Sequence, residues 1–434
     1  MDSAGVDVNR FESYILYCGD TSPTEDTRKN DGVPTGSADF KIPLQNIAVE
    51  GTYTSSYVEL TGHRNTIKSM SNPSNIVSPC LQQMYENKST ISFTGGGTGE
   101  YENLNATFGE FKHIFEAKDI WIPASVDVEP LLRIEYIVAI SLFFNDGTKG
   151  EQIYSNIKSA FTELERNMAL IENKKRIAWV SYDFSVNSWK LHNSKFTKGM
   201  ITAAGGIPFP LKGEVPDDMS LSADEIKTLL LNSQIVIDET NFNGQPGVTP
   251  IEKWRDLAGF ASQTELPVLQ QKNVYSLDNT VSKNGSNDYK YRLASRPDLL
   301  LKDLIHVQYP TYDTTYELTF LNPKFASGTG VTIQLSSADC ATSNYNNGEI
   351  PKVVFQEKFK GDSSPPPALV GSGIYGGDGS GGGGSKTGVV ITVICVAVVL
   401  GAVFGAVFIK WSKRAKEDRF IELEEEMNRE IPLH

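Results

Sequence analysis

The sequence predicts an α/β protein with two Rossmann-like lobes joined by a long inter-lobe helix, plus a C-terminal single transmembrane helix. Three observations carry this. Short apolar strands alternate with amphipathic helices in two separate runs, at 45–70 and 176–307. A stretch of helical periodicity, 129–173, lies between them. Residues 388–409 are apolar, Gly or Thr apart from Cys395.

The first lobe opens on the strand pattern Gln45–Glu50, passes through a hydroxyl-rich turn into a helix at Tyr57, Val58 and Leu60, stops at Gly62, and resumes as a strand at Thr66–Met70. Strand, turn, helix, glycine, strand is a βαβ unit. Asp119–Ile122 reads as a further strand. The linking helix carries Leu132, Tyr136, Ala139 and Phe143 on one stripe, which continues through Ile153, Ile157, Phe161, Leu164 and Met168. Asn145-Asp146-Gly147 interrupts it with a turn or kink. The second lobe has strands at Arg176–Tyr182, Ser233–Asp238 and Asn273–Leu277 and helices around 195–204, after Ser222, through Trp254 and over 299–307. Ser222-Ala223-Asp224-Glu225 is a capping box, and Pro297 sits early in the last helix, where the missing N–H costs nothing. Tyr316–Phe320 and Val331–Leu335 alternate as half-exposed strands.

The expected organisation is therefore a polar lead-in at 1–40, a first lobe at 41–130, an inter-lobe helix region at 131–175 and a second lobe at 176–310. A small β appendage at 311–360, a Pro/Gly/Ser-rich stalk at 361–387, the transmembrane helix at 388–409 and a tail at 410–434 complete it. The apolar run extends roughly 33 Å at about 1.5 Å per residue, against a hydrocarbon core of about 30 Å. Lys410, Trp411, Lys413, Arg414 and Lys416 follow it, an interfacial aromatic with clustered cations that reads as a cytosolic flank. The expected location is the plasma membrane or an endomembrane, single-pass type I, with the bulk of the chain outside. Met1–Asp20 shows no apolar signal region, which leaves a tail-anchored topology as the alternative. Sequons at Asn87, Asn105 and Asn284 agree with the type I reading. Gly401 and Gly405 form a G-x-x-x-G pattern that is able to pair two spans.

The net charge of −13 and the lack of a basic run before the span disfavour nucleic-acid binding. The 4 cysteines do not make a disulfide scaffold, and pairing among Cys18, Cys80 and Cys340 stays open. The 5 histidines are scattered without metal-site spacing. No nucleophile elbow, zinc-protease motif, Walker A or dinucleotide fingerprint occurs, so neither a catalytic residue nor a catalytic cofactor is expected. The informative feature is the loops after the strands, where open α/β sheets bind ligands. Thr52, Tyr53 and Thr54 follow the first strand, and Trp121 ends the strand at Ile120. Tyr182, Phe184 and Trp189 follow Val180, and Glu239 and Phe242 follow Ile237. Aromatic, hydroxyl and amide groups with little charge suit a large, flat, mostly neutral ligand.

The string IPLQNIAVEGTYTSSYVELTGHRNTIKSM at 42–70, together with NVYSLDN and RPDLLLKDLIHV at 273–307, resembles the opening and closing segments of the helical-backbone (class III) periplasmic binding proteins. Members of that class capture vitamin B12, siderophores, haem or metals for ABC importers. The linking segment looks closer still to the membrane-anchored, algal-type cobalamin-acquisition proteins of eukaryotes. Pro130, Leu131, Arg133, Glu135, Phe143, Phe144 and Asn145 match that branch, with Tyr136 where it carries Trp. The resemblance covers about residues 42–310 and implies a non-enzymatic surface receptor. Its ligand would be cobalamin held in the inter-lobe cleft, and it would pass that ligand to a transporter or to endocytosis. The resemblance leaves two other uses of the fold open, a receptor for a ferric chelate or haem and a membrane-tethered hydrolase working in the cleft. An adhesion ectodomain without a small ligand is a further alternative.

Overall fold

The computed structural model describes residues 13–93, 104–109, 119–124, 128–209, 218–240, 242, 250–262, 265–323, 332–341 and 359–361. The chain divides into two compact units, Met1–Gly376 and Gly377–His434, and every described residue belongs to the first. The expected span at 388–409, the tail, and the stalk beyond Gly361 lie outside the described residues. Among the described residues no helix is long and apolar enough to cross a membrane.

Residues 13–41 are more ordered than the polar lead-in expected of 1–40. Strand β1 (Tyr14–Tyr17), helix α1 (Glu25–Asn30) and strand β2 (Ala38–Lys41) come first, and the two strands pair in parallel. The anchor is apolar: Phe40 is 2 % exposed and meets Phe143 edge-on, and Tyr14 packs on both rings.

A parallel sheet follows, built from β3 (Ile47–Val49), α2 (Thr52–Leu60), β4 (Ile67–Ser71), α3 (Pro79–Glu86), β5 (Ile91–Phe93), β6 (Ala106–Gly109) and β7 (Asp119–Trp121). Its order is β5-β4-β3-β6-β7, with β3 central and wholly buried. Gly51 turns β3 into α2 at a φ of 82°, a backbone that glycine adopts without steric cost.

The helical linking region expected at 131–175, with its turn at Asn145-Asp146-Gly147, is three helices: α4 (Pro130–Arg133), α5 (Glu135–Phe143) and α6 (Gly147–Met168). The main break falls at the Asn-Asp-Gly turn, where Asn145 takes a φ of 57°. Helices α5 and α6 then pack so closely that a Cβ at Gly150 would lie 2.4 Å from Ser141 Oγ. Helix α6 joins two cores, because Ile153 and Ile157 pack under the first sheet while Phe161, Leu164 and Met168 pack under the second.

The second sheet uses β8 (Arg176–Asp183), β9 (Ser188–His192), α7 (Lys195–Ala203), β10 (Ile207–Pro208), β11 (Asp218–Leu221), α8 (Ala223–Leu231), β12 (Ile235–Asp238), α9 (Pro250–Leu257), α10 (Pro267–Gln270) and β13 (Val274–Ser276). Its order is β11-β9-β8-β12-β13, with β10 paired to β8. Alternation along β8 and β12 sends Ile177, Trp179, Ile235 and Ile237 into one core and Ala178, Val180 and Val236 into another. Burial on both faces makes these strands read as continuous apolar runs. The Ser222 capping box forms as expected.

The chain ends its described course with β14 (Thr280–Ser282), α11 (Asp288–Arg292), α12 (Pro297–Gln308) and β15 (Ile333–Leu335). The expected strand at Tyr316–Phe320 does not form. Those residues run irregularly, and the N–H groups of Thr319 and Phe320 turn inward onto Asp303. Strand β15 does form and pairs in parallel with β14.

Candidate functional site

A cavity of about 710 Å³ lies where the carboxyl ends of both sheets converge. From the second sheet it takes Asp238, Glu239 and Thr240 at the end of β12, and Ser276, Leu277 and Asp278 at the end of β13. The turn after β14 and the start of α11 add Asn284, Ser286, Asn287, Tyr289, Lys290 and Tyr291. Thr52, just after β3, and Asn75, just after β4, close it from the first sheet. This is the place the switch-point rule for open α/β sheets favours.

Several walls are held from outside the cavity. Trp179 Nε1 donates to Glu239 Oε1 at 2.6 Å, and Tyr289 Oη donates to the same oxygen at 3.3 Å. Tyr291 Oη donates to Glu59 Oε2 at 3.1 Å, while Ser78 Oγ donates to Glu59 Oε1 at 2.7 Å. Burial pushes the Glu59 carboxyl above its ordinary range against these donors. The pair fastens α11, and so one cavity wall, to α2 of the first sheet. Asn284 Nδ2 donates to the Ser74 carbonyl at 3.2 Å and makes a second link across.

Asp238 is 1 % exposed, and the Thr240 hydroxyl donates to its Oδ1 at 2.6 Å. Burial pushes its carboxyl up to about 7, although Thr240 and the Trp254 indole favour the charged form. The folded pKa lies above the unfolded value, so this group's contribution is largest at low pH and is lost as pH rises from about 4 through about 7. The urea midpoint of wild type is expected to fall over that window relative to Asp238→Asn, by an amount worth on the order of 2–4 kcal/mol. Parallel pH profiles for the two proteins would refute this.

The structure brings three of the sequence-derived site residues to the cavity: Thr52, Glu239 and Phe242. Phe242 meets Phe184 at 6.0 Å, Phe184 meets Tyr182 at 5.0 Å, and Tyr182 meets Trp189 at 5.4 Å. Of this row of edge-on rings only Phe242 lines the cavity. Trp189 is 3 % exposed; it packs on Trp254 at 5.7 Å and donates to the Leu257 carbonyl at 3.1 Å. It lies on β9, because the chain turns back at Asn187, with a φ of 49°, and forms an antiparallel hairpin where a binding loop was expected. Thr54 is fully buried in α2, and Tyr53 packs against both cores. Trp121 ends β7 outside the cavity lining, with its N–H donating to Tyr14 Oη at 2.9 Å.

The lining residues that sequence reasoning passed over are chiefly those after β13 and around α11. The first had a signal, since the loop after the strand at Asn273–Leu277 begins with Asp278. The second had one too, in the turn sequence Asn284-Gly285-Ser286-Asn287 ahead of a helix that Asn287 caps. Of the three sequons, Asn87 is exposed at the end of α3, and Asn105 is exposed with Oδ1 accepting from two backbone N–H groups. Asn284 lies on the cavity itself. Among the described residues no group of three or more His, Cys, Asp or Glu is placed to hold a metal ion.

No family model matches this chain. No curated protein matches it either. Among solved structures it is similar to a periplasmic binding protein from Veillonella parvula, at 10 % identity over 61 % of this chain and 90 % of that one, with a TM-score of 0.46. It is similar to a periplasmic vitamin B12 binding protein of Vibrio cholerae at 11 % identity over 61 % and 96 % of the two chains, with a TM-score of 0.42. It is also similar to a periplasmic heme binding protein from Pseudomonas aeruginosa, at 11 % identity over 64 % and 97 %, with a TM-score of 0.44.

Proposed function

We propose that this chain is a membrane-anchored surface receptor that captures a large, hydrogen-bonding small molecule between its two α/β halves and releases it unchanged for uptake. The observation that carries the reading is the cavity's position and lining. It draws on the carboxyl ends of both sheets, and hydroxyl and amide groups dominate it: Thr52, Asn75, Thr240, Ser276, Ser286 and Asn287. Its volume lies within the range of about 300–1,000 Å³ for small-molecule pockets. Cobalamin is the leading candidate. Its corrin rim of carboxamides offers donors and acceptors to such a lining, and Phe242 and Tyr289 offer apolar faces. Haem brings two carboxylates into a site that already holds Asp238, Glu239 and Asp278.

Two features support the expected topology. Cys80 and Cys340 form a disulfide, which persists in oxidising compartments such as the cell exterior. The apolar run at 388–409 supplies the anchor. A transporter or the endocytic machinery would then receive the ligand.

Calorimetric titration of the full chain in detergent with cyanocobalamin tests the function. Binding at micromolar Kd or tighter is expected. Trp189→Ala, a core substitution, is expected to lower stability while the folded fraction keeps its affinity. A folded, monodisperse protein that takes up haem or a ferric chelate and not cyanocobalamin would move the ligand within the same fold. Turnover of ester, glycoside or phosphate substrates would replace the receptor reading with the hydrolase.

A further inference from the structure

Glu239 is supported in a way that packing alone does not require. It stands at the carboxyl end of the inner strand β12 and lines the cavity. Two aromatic donors from different elements, Trp179 on β8 and Tyr289 on α11, both reach Oε1. Trp179 is 1 % exposed and Tyr289 is 6 % exposed, so both donors are themselves locked in the core. They hold the carboxylate in one orientation, and no hydrogen bond among the described residues reaches Oε2. Preorganisation of a cavity-facing group by buried partners is what a binding anchor needs.

The surroundings set the sign of the field. Asp238 and Asp278 share the lining, and Lys290 is its single cation among the described residues. A second cation, Arg133, is buried close enough to act on the Tyr289 hydroxyl. Arg133 is 7 % exposed and lies over the Phe196 ring at 4.1 Å, and it has no carboxylate within ion-pair distance among the described residues. Arg133 and Glu239 act on the Tyr289 hydroxyl in opposite senses. Among the described lining residues the carboxyl groups of Asp238, Glu239 and Asp278 outnumber the one cation, so the face presented to the ligand is acidic.

We infer that Glu239 is the specificity-determining anchor of the cavity. Its open oxygen accepts a hydrogen bond from a ligand N–H, a carboxamide or an ammonium, and its charge turns away ligands that present carboxylates there. This rests on the receptor reading and names the ligand chemistry within it.

Glu239→Gln is the discriminating change. The side-chain carbonyl can still accept from Trp179 and Tyr289, while the open oxygen becomes an NH2 donor facing a donor. Titrations of the full chain use cyanocobalamin as the neutral probe, the cationic ferric complex of a trihydroxamate siderophore, and haem as the anionic probe. Wild type is expected to prefer the neutral and cationic probes. Glu239→Gln is expected to weaken them about ten- to hundredfold and to narrow the gap to haem. A ligand-side series keeps the test valid if the variant misfolds. Among the monocarboxylic acids of cyanocobalamin, each with one carboxamide replaced by carboxylate, at least one isomer is expected to bind wild type about tenfold or more weakly than the parent. Binding of cyanocobalamin that neither Glu239→Gln nor any monocarboxylic acid alters would overturn the anchor and leave the receptor standing. Tighter binding of haem than of the other probes by wild type would overturn the charge selection. Binding of none of them by folded wild type would overturn the receptor reading and the anchor together.

Discussion

Asp303→Ala is expected to cost about 4–6 kcal/mol of folding stability, because it strands several donors at once. Asp303 is fully buried in α12. Its Oδ1 accepts from Tyr316 Oη at 2.7 Å and Thr319 N at 2.9 Å, and its Oδ2 accepts from Phe320 N at 2.6 Å and Leu321 N at 2.9 Å. One carboxylate thus replaces the ladder that residues 319–321 would have needed as a strand. Without it, backbone N–H groups remain in the core with no acceptor, at about 1–3 kcal/mol each. The effect should reach the cavity. The next residue, Asn322, exchanges backbone hydrogen bonds with Ser276, and Ser276 lines the site. Asp303→Asn keeps one acceptor oxygen and is expected to lose roughly half as much. Urea denaturation of the three proteins measures both values, and a loss below about 1 kcal/mol for Asp303→Ala would show that other groups satisfy the segment.

The second large effect is expected from the Cys80–Cys340 bridge. It closes a sequence separation of 260 residues, so its loss should destabilise the protein by about 2–5 kcal/mol. The bridge is also placed to matter for binding. The segment carrying Cys340 leaves the second half through β15, which pairs with β14, and is bonded to α3 of the first half. Gln83 Nε2 donates to the Ser337 carbonyl at 3.4 Å, and Ser337 Oγ donates to Glu86 Oε2 at 2.5 Å. Farther along, Phe359 packs edge-on against Tyr309 and Tyr312 of the second half. Thr332, at the start of this strap, lines the cavity. The double variant Cys80→Ser/Cys340→Ser is therefore expected to show a lower urea midpoint and faster ligand dissociation. Unchanged dissociation with reduced stability would confine the bridge to a structural role.

Trp189 and Thr54 both follow strands, yet a hairpin and a helix carry them into the core. The residue type was right for a cavity, and the direction of the side chain was not available from spacing alone. The cavity residues around α11 were passed over for the opposite reason. That helix covers only Asp288–Arg292, too short to show a periodicity, and its place is set by Tyr291 reaching Glu59, far away in the sequence.

What the sequence determined by itself is the local grammar: apolar runs that become β3, β8, β12 and β13, the Ser222 capping box, the turn that divides α5 from α6, and the α/β class. Each depends on neighbours within a few residues, where propensity, capping and side-chain periodicity act directly. What only the tertiary structure decided is the set of meetings between distant residues. Trp179 and Tyr289 converge on Glu239, Asp303 gathers the N–H groups of 319–321, and Cys80 finds Cys340. These are fixed by how the two sheets and the strap pack, and burial gives them their strength, because a polar group removed from water must find its partner inside the protein.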